Sequence, residues 1–128
     1  MTLFSKIIAG DIPCAKLYED DHFFSFLDIR PIKRGHALVI PKQEIDYIFD
    51  VPDELLQQML VVAKPIAKAI EAHVPCQRIG MMVAGLEVPH CHIHLVPING
   101  VGDLNFSLAS QADPAELTEL AKKIRAEL

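Results

Sequence analysis

Hydrophobic and polar residues alternate along several short stretches of this chain, and each stretch is bounded by turn-forming residues. Alternation with a period of two places neighbouring side chains on opposite faces of a β-strand. A short run that is apolar on both faces is typical of a strand that is covered on both sides. The pattern predicts five strands, over Lys16 to Glu19, His22 to Asp28, His36 to Ile40, Arg78 to Val83 and His90 to Pro97.

Three other segments have the three- and four-residue spacing of an amphipathic helix. Thr2 is a suitable cap for a short helix that ends at Gly10, and Asp113-Pro114 begins a last helix near the end of the chain. The longest predicted helix runs from Asp53 to His73. Its expected buried stripe is Leu56, Met59, Leu60, Ala63, Ile66, Ala67 and Ile70. These elements predict an α+β fold with a mostly antiparallel sheet, and the pattern leaves the order of its strands open.

Length and composition are typical of one domain spanning residues 1–128. A net charge of −5 argues against nucleic acid as a partner, because phosphate binding requires clustered Lys and Arg. No apolar run approaches the roughly 20 residues that span a bilayer, so no membrane association is expected. Cys14, Cys76 and Cys91 are widely spaced, as is typical of reduced thiols in a cytoplasmic protein.

Half of the six histidines lie in one five-residue stretch, at His90, His92 and His94. On a strand, residues two apart share a face, with Cα atoms roughly 6–7 Å apart, and the residues between them face the core. Imidazole is a nucleophile, a base, an acid or a metal ligand near neutral pH. The residues alone leave three interpretations: a structural row, a zinc or copper site, or a catalytic site.

The stretch Val88-Pro89-His90-Cys91-His92-Ile93-His94-Leu95-Val96 resembles the signature of the histidine triad (HIT) family, and is most similar to its Hint-like branch. Four further motifs match in the same order, so the resemblance covers residues 1–100 and leaves a loop and a C-terminal helix over residues 101–128. These motifs are Phe4 to Pro13, Tyr18 to Asp21, Phe26 to Ile29 and Gly35 to Lys42. The resemblance implies a HIT-like fold and a homodimer.

The resemblance also implies a nucleotide hydrolase or nucleotidyl transferase that acts at the α-phosphate of a purine nucleoside phosphoramidate or related nucleotide. His92 is then the nucleophile that forms a nucleotidyl-histidine. His90 and His94 orient the phosphate, stabilise its developing charge and assist proton transfer. No cofactor is expected. Two alternatives stay open: a nucleotide-binding interaction protein with little turnover, and a metalloprotein that uses the histidine row.

A pocket for AMP, GMP or an adenosine derivative follows from the same resemblance. Asp28 matches the carboxylate that accepts hydrogen bonds from the ribose, and His36 matches a histidine near the active site. An apolar slot for the base is expected from Leu3, Phe4, Ile7, Phe26, Ile29 and Leu38. Plain core packing is the alternative explanation for these six residues.

The chain departs from its relatives at two places. Many relatives bind a structural zinc ion through two cysteines and two histidines, but here Thr2, Ser5 and Glu44 stand at three of those four positions. No structural zinc is therefore expected. Before the triad, Leu86-Glu87 replaces a polar pair, Gln-Ser or Gln-Thr. A carboxylate beside a phosphate is expected to weaken substrate binding or to change the preferred leaving group.

Overall fold

A computed structural model describes residues 1–128 as one five-stranded antiparallel sheet with helices on both faces. The predicted α+β architecture is confirmed. None of the helices is both long and apolar enough to cross a membrane. The strands are β1 (Ala15–Glu19), β2 (Phe23–Leu27), β3 (Ala37–Pro41), β4 (Arg78–Met82) and β5 (Ile93–Ile98), and the helices are α1 (Leu3–Ala9), α2 (Asp53–His73) and α3 (Pro114–Arg125).

The order of the strands, β1-β2-β3-β5-β4, places the histidine-bearing strand inside the sheet. The first three strands form a meander, and α2 then carries the chain to β4 at the far edge. β5 returns between β3 and β4 and pairs with both of them. Because both neighbours fix β5, the backbone at His94 is held on two sides, whereas β1 and β4 each keep one unpaired edge.

Each face of the sheet buries a different set of side chains. On β3, Ala37 and Val39 belong to the main core under α2 and α3, whereas Leu38 and Ile40 belong to a smaller core under α1. Phe26, Leu38 and His94 are direct neighbours across three adjacent strands, so they share the α1 face. The triad strand therefore presents its histidines on the same face as the expected base slot.

Strand β5 begins at Ile93 and not at His90, which corrects the predicted start of this strand. The amide N–H of Cys91 donates to the carbonyl of Ile45 at 2.7 Å, and the amide of His90 donates to Val88 at 2.8 Å. These bonds hold the first part of the triad in a loop against the segment that follows β3. The side chains of Cys91 and Ile93 still enter the main core, as the alternation predicts.

One position of the predicted α2 stripe is exposed. Met59, Ala63, Ile66 and Ile70 are buried together with Ala69, but half of the Leu60 side chain is accessible to solvent. A residue next to Met59 lies 100° around the helix, and here that turn takes Leu60 out of the contact with the sheet. The apolar surface that results lies on the part of α2 that the chain itself does not cover.

Candidate active site

A cleft of about 400 Å³ opens on the α1 face of the sheet and contains the side chains of His92 and His94. Its walls are mainly apolar, and charged groups lie at Asp28, Arg30 and Glu87. We call it the triad cleft. Its other lining residues are Leu3, Phe4, Ile7, Ile12, Pro13, Cys14, Phe26, Ile29, Leu38, Val88, Phe106 and Ala109.

The ring of His92 has one nitrogen bound to the backbone and one nitrogen free. Its Nδ1 lies 2.8 Å from the carbonyl oxygen of His90, and because a carbonyl only accepts, Nδ1 carries the proton. In the neutral ring the lone pair is then on Nε2. No buried side-chain nitrogen or oxygen lacks a hydrogen-bond partner, so Nε2, which has none, is open to the cleft. His92 thus presents a nucleophilic nitrogen.

The ring of His94 has the opposite tautomer, because His36 stands behind it. The amide of Ile32 donates to Nδ1 of His36 at 3.0 Å, so the proton of neutral His36 is on Nε2. That Nε2 lies 2.9 Å from Nδ1 of His94, which must therefore accept. The remaining proton of His94 is on Nε2, which has no partner within the chain. His94 thus presents a hydrogen-bond donor 4.7 Å from the His92 ring, measured between centroids.

His90 lies behind His92 and does not line the triad cleft. Its side chain is fully buried. Nε2 donates to the carbonyl of Pro41 at 2.7 Å, and Nδ1 lies 3.0 Å from the hydroxyl of Thr2. Both ring nitrogens are therefore engaged within the protein, and the contact of His90 with His92 runs through its backbone oxygen.

The protein environment favours neutral rings at the cleft. Burial lowers the pKa of His92, and the attraction of Asp28 opposes this effect only in part. The pKa of His94 falls to about 3, first because of burial and then because of the neighbouring rings of His92 and His36. Burial also lowers the pKa of His36. A neutral His92 keeps its Nε2 lone pair, so the nucleophilic form persists below the pH at which a free histidine becomes protonated.

The residues expected for nucleoside binding fall into two groups. Asp28 and all six residues of the expected base slot line the triad cleft. Phe4 packs its ring edge-to-face with His92 at a centroid distance of 4.9 Å. His36 does not line the cleft, and it acts on the cleft through His94. Four of the six base-slot residues also belong to the smaller core, so each of them both packs the core and lines the cleft. They are Phe4, Ile7, Phe26 and Leu38.

Several lining residues were not predicted from the sequence. Phe106 and Ala109 reach the cleft from the segment after β5, and the ring of Phe106 packs against His94 at 5.0 Å. Cys14 comes from the turn before β1. None of these residues belongs to a motif or to a periodic element, because they lie in irregular segments. Only the return of the chain over the sheet brings them to the histidines.

Asp28, His36 and His94 form the one group of potential metal ligands whose atoms lie within 4.8 Å of one another. The two nitrogens that converge here are already used, because His36 Nε2 and His94 Nδ1 share one hydrogen bond at 2.9 Å. Only Oδ2 of Asp28, 3.7 Å from His36 Nε2, is left without a hydrogen bond. A metal ion needs lone pairs that converge on it. This geometry is that of a hydrogen-bonded relay and not of a chelate.

Comparison with known proteins agrees with this geometry. Residues 9–100 match the HIT domain. The chain belongs to the HIT family. It is 42% identical to adenosine 5'-monophosphoramidase HNT1 of Saccharomyces cerevisiae over 74% of this chain and 61% of that protein. The Schizosaccharomyces pombe adenosine 5'-monophosphoramidase is 36% identical over 96% of this chain and 98% of its own length.

Among solved structures, this HIT protein resembles a zinc-bound histidine triad family protein from Mycobacterium smegmatis. The TM-score is 0.82 and the identity is 33%, over 98% of this chain and 91% of the other. Each of these proteins is therefore similar to between 74% and 98% of this chain. The resemblance that the triad motif suggested is confirmed.

At the positions where the resemblance predicts zinc ligands, the side chains of this HIT protein do not fit a zinc ion. Thr2, Ser5, Glu44 and His90 do come together, but they bind one another. Zinc in proteins is held by thiolates, imidazoles and carboxylates, and two of the four groups here are neutral hydroxyls. One Glu44 oxygen already accepts from the Thr2 amide and the Ser5 hydroxyl, both at 2.7 Å.

Proposed function

We propose that this HIT protein hydrolyses the P–N bond of purine nucleoside 5'-phosphoramidates, with His92 as a covalent nucleophile. The observation that carries the proposal is the pair of opposite tautomers at the triad cleft. His92 offers a lone pair and His94 offers an N–H, 4.7 Å apart between ring centroids. Attack on phosphorus requires both, because the oxygens gain charge as the nucleophile approaches. The similarity to two adenosine 5'-monophosphoramidases supports the choice of substrate.

In the first step, Nε2 of His92 bonds to the α-phosphorus and the P–N bond breaks. The electron pair goes to the departing nitrogen, which takes a proton from solvent in the open cleft and leaves as an amine. Nδ1 of His92 keeps its proton on the His90 carbonyl throughout. The backbone oxygen of His90 thereby stabilises the positive charge that develops on the imidazole ring once Nε2 is bonded to phosphorus. In the second step, the oxygen of a water molecule bonds to phosphorus and releases a proton to solvent. The Nε2–P bond breaks, its electron pair returns to Nε2, and His92 departs as a neutral imidazole while the nucleoside monophosphate is released.

His94 acts in this scheme as a hydrogen-bond donor to a phosphate oxygen. The neutral ring already accepts from His36, so release of its Nε2 proton would leave an anionic imidazole. A donor fixed in advance at the position of the growing charge requires no reorganisation during the reaction. His90 supports the same step from behind, through the carbonyl that orients His92. This division of tasks is narrower than the shared proton transfer expected from the sequence.

The nucleoside is proposed to lie along the rest of the triad cleft, with its ribose hydroxyls on the Asp28 carboxylate. The apolar walls suit a purine ring, and the lining residues Phe4 and Phe26 are proposed to contact it. These two rings lie 5.6 Å apart in an edge-to-face arrangement. The only cationic side chain that lines the cleft is Arg30. A single phosphate is therefore favoured over a polyphosphate chain, which would bring more negative charge than the cleft can neutralise.

A second candidate function is nucleotide binding with slow turnover, and Glu87 is the observation that favours it. Its carboxylate lines the cleft together with His92. A negative charge there opposes the approach of an anionic phosphate. Comparison of Glu87→Gln with the wild type separates the two functions. If the carboxylate limits a working enzyme, the variant increases kcat/KM, whereas a binding protein shows tighter AMP binding and no turnover in either form.

The main test follows AMP release from adenosine 5'-phosphoramidate at neutral pH in the presence of EDTA. We expect His92→Ala to lose activity by several powers of ten, as is usual when a covalent nucleophile is removed. His22→Ala is the matched control, because His22 is exposed and lies outside the cleft. Mass analysis of a quenched wild-type reaction should detect a nucleoside monophosphate adduct. Undiminished AMP release by His92→Ala would exclude the mechanism.

We also propose that two copies of the chain associate through the edge strand β4. This strand pairs only with β5, so its other edge has unpaired backbone groups. Large apolar side chains are exposed on β4 and on α2, including Met81 at 52% and Leu60 at 50%. The opposite edge, β1, carries Lys16 and Glu19 in an ion pair. An apolar edge supports pairing with a second copy better than a charged one does.

A further inference from the structure

Four polar side chains from three distant parts of the chain form one hydrogen-bonded cluster beside the triad. They are Thr2, Ser5, Glu44 and His90, and we call them the α1 cluster. The Thr2 hydroxyl lies 3.0 Å from Nδ1 of His90 and 3.1 Å from the Ser5 hydroxyl. The Ser5 hydroxyl donates to Glu44 at 2.7 Å. The cluster lies outside the triad cleft, and the chemistry described above uses only the backbone of His90.

The hydrogen atoms of the cluster can be assigned from their partners. Nε2 of His90 donates to the Pro41 carbonyl, so Nδ1 of the neutral ring must accept. The Thr2 hydroxyl is the one group beside Nδ1, and it therefore donates to it. The Ser5 hydroxyl uses its hydrogen on Glu44, so the 3.1 Å between the two hydroxyl oxygens is a contact without a hydrogen atom between them. Thr2 Oγ1 accepts in turn from the Ser5 amide at 3.1 Å, which caps α1. One hydroxyl thus begins the helix and fixes the buried ring.

The fixed ring determines the position of the nucleophile. His92 is oriented by the backbone oxygen of His90, and the His90 ring is held at both nitrogens. Phe4, two residues after Thr2, packs edge-to-face on both rings, at 5.8 Å from His90 and 4.9 Å from His92. Loss of the Thr2 hydroxyl would leave a buried ring nitrogen without a partner. The ring would then rotate or change tautomer, and its carbonyl would move with it.

We propose that Thr2 is a positioning residue for the reaction, and that the α1 cluster holds the His90–His92 pair in place by hydrogen bonds. The inference rests on the proposed role of His92 as nucleophile. It differs from that role because it concerns what orients the ring and not what the ring attacks. Ser5 and Glu44 extend the attachment to the segment after β3, so α1 is tied to two other parts of the chain.

The test compares Thr2→Val, which keeps the shape and loses the hydroxyl, with Thr2→Ser, which keeps the hydroxyl. We expect Thr2→Val to lower kcat for adenosine 5'-phosphoramidate about five- to tenfold, the effect of one hydrogen bond on an otherwise intact site. The affinity for AMP should change less than twofold, because Thr2 does not line the cleft. Thr2→Ser should restore kcat. Imidazole ¹⁵N spectra should show a single tautomer of His92 in the wild type and a mixture in Thr2→Val.

Asp113→Ala is the matched control for loss of a helix cap. Asp113 caps α3 through the Ala115 amide and does not line the triad cleft, so this variant loses stability without a change in kcat or in the His92 spectrum. If Thr2→Val does not fold, Ser5→Ala replaces it, with a smaller change in the same direction. Normal kcat and a normal His92 spectrum in the variant would overturn the proposal, as would an equal loss in Asp113→Ala. If the wild type releases no AMP, the proposed function fails, and the spectra alone decide the positioning role.

Discussion

His36 Nε2 lies 2.9 Å from His94 Nδ1, and this single hydrogen bond determines which nitrogen of His94 carries its proton. The direction of the bond is set one step earlier, by the amide of Ile32, which can only donate. One backbone N–H thereby fixes the tautomer of His36, and His36 in turn fixes the tautomer of His94 in the triad cleft. A side chain that does not line the cleft thus determines what the cleft offers to a phosphate.

Replacement of His36 should therefore impair catalysis more than binding. We expect His36→Leu to lower kcat about tenfold or more, because His94 then loses the donor that fixes its tautomer. His36→Gln should recover part of the loss, since an amide N–H can donate to Nδ1 of His94. Steady-state rates of AMP release and the affinity for AMP, measured for both variants, check this expectation. Equal rates in His36→Leu and the wild type would contradict it.

Stability should decrease in acid because neutral buried histidines must become charged. The pKa of His94 is about 3 in the folded chain, against 6.5 for the unperturbed group. A lowered pKa means that the unfolded chain binds protons first, so the stabilisation is complete above pH 6.5 and is lost as the pH falls from 6.5 towards 3. The shifts of His36 and His92 have the same sign.

Urea unfolding between pH 8 and pH 4 measures this loss. Carboxylates with lowered pKa values, such as Asp103, also contribute less stability as the pH falls. The wild type must therefore be compared with His94→Gln. The variant should show a shallower decrease in the free energy of unfolding with falling pH. Parallel curves for the two proteins would show that His94 does not contribute.

Asp28→Asn should weaken nucleotide binding without disturbing the local turn. Oδ1 of Asp28 accepts from the Arg30 amide at 2.9 Å, and an asparagine oxygen can do the same. The charge-assisted hydrogen bonds to ribose hydroxyls are lost, which should weaken AMP binding about ten- to a hundredfold. Calorimetry with AMP and with a 2',3'-dideoxy analogue tests the cause. Only the wild type should distinguish the two ligands, and equal AMP affinity in the two proteins would remove Asp28 from this role.

The purified protein should contain no stoichiometric zinc and should unfold at the same temperature with and without EDTA. The reason is the α1 cluster, whose hydroxyls and carboxylate bind one another. Elemental analysis and thermal unfolding measure the two properties. The triple variant Thr2→Cys, Ser5→Cys, Glu44→His should bind zinc, with His90 as the fourth ligand, and should unfold at a higher temperature when the metal is present. One EDTA-resistant zinc per wild-type chain would contradict this expectation.

Met81→Lys should convert the proposed homodimer to monomers. The side chain is half exposed on the edge strand β4, where a lysine would place charge between two paired copies. Sedimentation velocity over a range of protein concentrations gives the mass. Lys16→Ala on the opposite edge is the control, and it should leave the mass unchanged. A wild type that sediments as a monomer at all concentrations would exclude the dimer.

The sequence was sufficient for the elements whose patterns are local. The spacing of His90, His92 and His94 predicted a histidine-bearing segment with its alternate residues in the core, and Cys91 and Ile93 are there. The predicted start of β5 was wrong by three residues, because the Cys91 amide donates a hydrogen bond to the Ile45 carbonyl in a distant segment. No local pattern records a hydrogen bond to a partner so far away along the chain.

The site was predictable to the same extent. Asp28 and the six residues of the expected base slot were predicted from the family resemblance, and all of them line the triad cleft. The different surroundings of three similar residues were not predictable. Both ring nitrogens of His90 are hydrogen-bonded within the protein. His92 has one nitrogen bound to a backbone oxygen, and His94 has one nitrogen bound to another histidine. These differences arise from Pro41 and His36, which only the pairing of β3 with β5 brings close.

The walls of the triad cleft come from both ends of the chain, since Phe4 lies in α1 and Phe106 in the segment after β5. The cleft is incomplete in a partly folded chain in which either of these two segments is undocked. A bound nucleotide therefore joins α1 to the segment after β5 and should slow hydrogen exchange at the amides of α1, although the ligand touches few of them. Occupancy of the cleft would in this way protect the segments that carry Phe4 and Phe106 from proteolysis.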